Sequence, residues 1–263
     1  MPRLVAVVAI LLALICADGA TPPTTPYQAD RRITDIAARS ACARHNWRDR
    51  GRAPIGYIKG VAQVYAKSIC ESRGSAGAAV TVMKQPLQGD QDALVRYRDA
   101  LARNGVDVSN DIERLRALYT LGIGLGMRES SGNTTEGRDI TARNPTASSA
   151  EAGLFQQSFD SLNRSPALAP LFEQYRADTG ACLLETFREG IPRVVTRPVF
   201  GTGAGAEFQR FTRACPAFAT EYAMVLLRVN RRHFGPINRG EAEFFGPCND
   251  MLKEVEAAAT CAP

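Results

Sequence analysis

The sequence predicts one mainly α-helical domain, stiffened by disulfides and carrying a minor β or irregular segment. Apolar residues recur at helical spacing through most of the chain. No internal repeat or second linker divides it, and 263 residues are enough to bury one substantial core. Hydrophobic residues make up 45% and charged residues 22%, a balance that argues against wholesale disorder.

The N-terminus reads as an export signal. Met1-Pro-Arg3 is a short positive region, residues 4–15 are apolar, and Ala17-Asp-Gly-Ala20 is rich in small residues. Residues 1–20 are therefore expected to be a signal peptide, 21–31 a Pro/Thr-rich linker, and 32–263 the folded domain. Cys16 lacks the small residue before it that a lipoprotein signal wants. No later stretch is long and apolar enough for a bilayer, so no stable membrane span is expected. A periplasmic or secreted monomer is the expectation.

Beyond the signal stand six cysteines, Cys42, Cys70, Cys182, Cys215, Cys248 and Cys261. An even set in an exported chain points to up to three disulfides, with the connectivity open. There is no Cys-x-x-Cys pair and the only histidines are His45 and His233, so neither metal nor cofactor is expected. The net charge of +5 gives a mild positive field that favours an anionic polymer. Charge alone does not separate a wall glycan from nucleic acid. The arginine clusters at 48–52 and 228–232 are short and read as solvated faces.

Taken in order, helices are predicted over 32–49 and 55–70. Residues 71–88 read as a loop in which 79–83, Ala-Val-Thr-Val-Met, form a short strand. A helix over 91–104 closes on Asn104-Gly105. The next helix opens with Asn110 and Glu113 as a capping box. Ile112, Leu115, Leu118, Tyr119, Gly122, Ile123 and Gly126 then line one face. Residues 133–152 are polar and turn-rich. Helices return at 166–178 and 182–188, 191–205 is irregular, 216–233 is strongly helical until Gly235-Pro236, and 241–259 is the last helix.

Gly122-x-Gly124-x-Gly126 resembles a nucleotide loop only superficially, because the third glycine is one position early and no strand precedes it. Each glycine costs a helix about 1 kcal/mol relative to alanine, so close packing against that face is the better reading. Two turns of apolar helix then end on Glu129. Its carboxylate faces the negative end of the helix dipole in apolar surroundings, and both effects oppose ionisation. A carboxyl that stays protonated near neutral pH serves as a general acid. Gly132 suits the left-handed residue that ends such a helix.

Glu129-Ser130-Ser131-Gly132, followed twenty-four residues after Glu129 by Gly153-Leu154-Phe155-Gln156, resembles the lysozyme superfamily, especially lytic transglycosylases and goose-type lysozymes. The resemblance covers residues 122–160, with Phe155 where methionine is usual. It implies a lysozyme-like helical domain with a cleft, and a substrate of peptidoglycan or a related aminosugar polymer rather than nucleic acid. Glu129 would protonate the glycosidic oxygen. Ser130 would position the acid or bind substrate, and Gly153, Leu154, Phe155 and Gln156 would form the facing wall. Hydrolysis would call on a second carboxylate. Asp139 is the first candidate, with Glu151 and Asp160 behind it.

His233 closes a helix, where a protonated ring would gain from the dipole. A sharper reading puts His233, Asn238 or Tyr222 on the cleft rim, with His233 touching substrate. Trp47, the one tryptophan, is expected in the core. Two alternatives stand beside peptidoglycan cleavage. One is a chitin- or chitosan-type glycosidase, the other a non-catalytic module that binds glycan or protein.

Overall fold

A computed structural model describes residues 30–140, 145–191 and 198–261 of the chain. The expected signal peptide and most of the linker lie outside the described residues. So does much of the segment read as irregular around 191–205.

The protein is mainly helical. Helix α1 (Arg31–Arg39) and the single turn α2 (Ala41–Arg44) occupy the first predicted helix, and a Ser40 side chain bonded to the Ala43 N–H separates them. A two-residue antiparallel pair follows instead of more helix, β1 (Asn46–Trp47) and β2 (Gly51–Arg52). Helix α3 (Ile55–Arg73) is buried along most of its length. Residues 79–83 are not a strand: they lie in α4 (Ala78–Lys84), with Val80 and Met83 fully buried. Packing outweighs the β preference of Val-Thr-Val over so short a stretch. The helix predicted over 91–104 is broken at Tyr97 into α5 (Ala93–Arg96) and α6 (Arg98–Arg103).

Helix α7 (Asp111–Ser130) is the centre of the fold. The Asn110 side chain accepts from the Glu113 N–H at 2.9 Å, one half of the predicted capping box, while the Glu113 carboxylate faces Arg116 at 3.7 Å instead of returning to Asn110. Burial is not confined to one face, since every residue from Arg114 to Met127 is buried. Helices α8 (Leu168–Ala177), α9 (Leu184–Arg188), α10 (Gly203–Ala214), α11 (Pro216–Val229), α12 (Gly235–Arg239) and α13 (Gly246–Ala258) complete the set. Helix α10 is absent from the sequence prediction. The long predicted helix 216–233 stops at Val229 and gives way to a 3-10 turn, Arg231–His233. Pro236 opens α12, and α13 begins at Gly246, later than the predicted 241.

Helix α7 packs against α3, α4, α11 and α13, and the buried apolar side chains join in one continuous core. Three disulfides fasten it: Cys42–Cys248, Cys70–Cys261 and Cys182–Cys215. The first two tie α13 and the segment after it back to α2 and α3, across separations of 206 and 191 residues. On a loop-entropy account, each such long closure disfavours the unfolded chain by roughly 5 kcal/mol. No helix among the described residues is long and apolar enough to cross a membrane.

Candidate active site

The C-terminal half of α7 is wedged in place by its glycines. A Cβ on Gly122 would strike Met224 of α11, one on Gly124 the backbone carbonyl of Glu243, and one on Gly126 the Tyr57 hydroxyl of α3. Tyr57 in turn donates to the Ile123 carbonyl at 2.8 Å. The glycines are there for close approach, as expected. The helix ends at two left-handed residues, Ser131 (φ 56°) and Gly132 (φ 75°), whose N–H groups reach the Met127 and Gly126 carbonyls at 3.0 and 3.3 Å. Gly132 thus takes the left-handed conformation predicted for it, with Ser131 sharing the turn. This geometry fixes where the penultimate helical residue, Glu129, points.

The second motif is a tight turn. Ala152 and Gln157 exchange backbone hydrogen bonds of 3.0 and 3.1 Å around it. Gly153 (φ 77°) and Gln156 (φ 49°) make the reversals. The Ser130 hydroxyl lies 3.1 Å from the Gly126 carbonyl and 2.8 Å from the Leu154 carbonyl, so it clamps the helix end to this turn. The hydroxyl's one proton is directed at backbone carbonyls, while Ser130 also lines the cleft.

Of the four residues expected to wall the cleft, only Gln156 lines it. Gly153 is buried with its α-carbon against Thr212, and Leu154 and Phe155 have no exposed surface at all. They are core, because the turn directs its apolar pair inward. His233 also lies behind the cleft lining, with Nε2 3.2 Å from the Gln156 carbonyl. Burial pulls its pKa down to about 4, so at neutral pH the uncharged ring donates to that carbonyl. The expectation of a protonated, dipole-stabilised His233 is therefore corrected. It buttresses a residue whose backbone is strained, since a non-glycine at positive φ costs on the order of 1 kcal/mol.

Glu129 and Gln156 open onto a cleft of about 430 Å³, within the usual range for ligand sites. One wall carries Arg50, Arg128, Arg239 and Glu241, and the 136–140 and 151–156 segments bring Glu136, Asp139 and Glu151. Glu129 is partly buried, and its carboxyl makes no side-chain hydrogen bond among the described residues. Burial pushes its pKa up to about 8, the Glu151 charge adds to the rise, and Arg239, Arg50 and Arg128 oppose it. Two of those arginines are occupied. Glu241 accepts from Arg239 at 2.7 Å and from Arg128 at 3.3 Å, which blunts their pull on Glu129.

The other sequence candidates divide. Asp139 lines the cleft and is exposed, while Glu151, ranked behind it, is the carboxylate whose charge acts on Glu129. Asp160 is not in the cleft lining and accepts from Ser158 at 2.6 Å. Tyr222 is fully buried against the Ser161 hydroxyl, and Asn238 pairs with Arg231, so neither is on the rim. Trp47 is in the core. Arg50, Arg239 and Glu241 were not singled out by sequence. The only hints were the 48–52 cluster, read as a solvated face, and the end of the His233–Arg239 segment. No group of His, Cys, Asp and Glu suited to a metal ion occurs among the described residues. In comparisons with known proteins the chain matches no family model, no curated protein and no solved structure.

Proposed function

We propose that the protein is an exported enzyme that cleaves the glycosidic bond between aminosugars of peptidoglycan, with Glu129 as general acid and base on a lysozyme-like helical scaffold. One observation carries this reading: a carboxyl at the end of a buried helix opens onto a polar cleft without a hydrogen-bond partner among the described residues, and burial pushes its pKa up to about 8. Such a group is loaded at neutral pH and close enough to that pH to give the proton up.

In the proposed reaction Glu129 protonates the glycosidic oxygen as the C–O bond breaks and positive charge develops on the ring. The resulting carboxylate then removes a proton from the attacking nucleophile. If that is a hydroxyl of the same sugar, an anhydro end forms without water. If it is water, a reducing end forms, and Glu151 is the carboxylate whose charge acts on Glu129 and that would orient the water. Three disulfides fit an oxidising, extracytoplasmic setting.

The test is digestion of purified peptidoglycan by the wild type and Glu129→Gln, with mass spectrometry of the products. Wild-type turnover with a loss of roughly 10²–10⁴-fold in the variant is expected from removal of a general acid. Anhydro ends would identify transglycosylation and reducing ends hydrolysis. Equal turnover by both proteins would remove Glu129 from the mechanism. Cleavage of chitin or chitosan oligomers with peptidoglycan untouched would transfer the reading to a different glycosidase. Binding without turnover would leave a glycan-binding module.

A further inference from the structure

Among the cations of the cleft, Arg50 differs from its neighbours. Arg239 and Arg128 pair with Glu241, and Arg128 also faces Asp49 at 3.8 Å. Arg138 stacks over the Phe200 ring, 3.9 Å from its centroid. Arg50 has no carboxylate within ion-pair distance among the described residues. Its one side-chain hydrogen bond among the described residues runs from Nη2 to the Arg128 carbonyl at 2.6 Å, in the last turn of α7. A guanidinium has five N–H donors, so most of its donors remain for a ligand.

Arg50 is exposed, but its backbone is held by a built turn. Trp47, just before the β1–β2 turn, is buried edge-on against His45 and Phe245. The Arg50 N–H bonds to the Trp47 carbonyl at 3.0 Å, and left-handed Asp49 and Gly51 set the reversal. The turn therefore anchors Arg50 at the rim of the same cleft as Glu129, its guanidinium bonded to the end of α7 and close enough for its charge to act there. A planar guanidinium takes a carboxylate through two parallel hydrogen bonds. A neutral or cationic sugar offers it no such partner.

Building on the glycosidase reading, we infer that Arg50 is a specificity residue that binds a carboxylate borne by the glycan beside the scissile bond. The cleft accordingly selects carboxylate-bearing aminosugar polymers over neutral or cationic ones. The carboxylate comes either from the sugar itself or from an attached peptide.

The experiment compares four substrates with the full chain: peptidoglycan strands with and without their peptides, each with carboxyls free or amidated. Wild-type kcat/KM should favour the free-carboxyl form by about 10- to 100-fold, the range of a hydrogen bond to a charged group. Arg50→Gln should collapse that ratio toward one, chiefly through KM, and Arg50→Lys should keep part of it. Preference on peptide-free strands puts the carboxylate on the sugar. Preference only on peptide-bearing strands puts it on the peptide. Equal wild-type rates on free and amidated strands would overturn the inference while leaving the glycosidase reading intact. So would a loss in Arg50→Gln by the same factor on both. Calorimetric binding of the four substrates to Glu129→Gln, with and without Arg50→Gln, keeps the test decisive if turnover is absent.

Discussion

Two glutamates on packed helices show how differently burial can be used. Glu221 of α11 is essentially inaccessible, and Lys67 of α3 meets it at 2.8 Å, with Glu71 on the same ammonium at 2.6 Å. Burial pushes the Glu221 carboxyl up and Lys67 opposes it. Burial would also strip the proton from Lys67, but the two carboxylates outweigh it and hold the ammonium charged. Glu129 of α7 is less buried yet has no hydrogen-bond partner among the described residues, and its three nearby arginines do not keep it ionised. Beside two carboxylates the buried lysine keeps its charge, while Glu221 itself is still pushed up by desolvation. Burial against a cleft, with no bonded cation, pushes the Glu129 pKa up to about 8.

The largest effect should come from breaking the matched site. Lys67→Met strands Glu221 and should cost about 3–5 kcal/mol in urea unfolding. Adding Glu221→Leu should restore most of that, and a single-variant cost below about 1 kcal/mol would erase the contrast. Glu129→Gln should act in the opposite direction. The folded-state pKa of Glu129 lies above its ordinary 4.5, so the folded protein loses stability as pH rises from there through about 8, and glutamine does not. The variant should be more stable by on the order of 3 kcal/mol at pH 7, with the gain vanishing toward pH 4. A variant less stable at pH 8 than the wild type would contradict this.

Smaller effects sharpen the site. Ser130→Ala breaks the clamp between helix end and turn and should cost about 1–2 kcal/mol of stability, read by thermal unfolding. A melting temperature equal to wild type would show that the clamp carries nothing. On peptidoglycan, kcat/KM should hold through neutral pH and fall above about 8, where Glu129 gives up its proton. Glu151→Gln removes the like charge that helps raise it and should move this alkaline limb to lower pH by a fraction of a unit. A limb that stays put would remove Glu151 from the electrostatics of the acid.

Much of the acid's setting was legible because helices announce themselves locally. The Asn110 cap, the glycines of α7 and the left-handed end at Gly132 all follow from residue type and spacing. Helix α10 was not legible, because its buried face carries Gln209, Thr212 and Arg213, and polar residues erase an apolar period. Gly153, Leu154 and Phe155 belong to the wall only on the family resemblance, and a short motif does not reveal which way its side chains face. Asp139 was ranked above Glu151 for a similar reason: acids in an aperiodic segment have no pattern to orient them. Arg50 reaches the cleft only because β1 and β2 pair, and two-residue strands leave almost no trace in a sequence.

Glu129 can act as an acid at neutral pH only if its carboxyl is protonated there. Carbon-13 NMR of protein labelled at glutamate side-chain carboxyls, with the Glu129 resonance identified by its loss in Glu129→Gln, follows that group directly as pH is raised. A midpoint near 8 is the expected result. A midpoint near the ordinary 4.5 would mean that the group is ionised at neutral pH and has no proton to give.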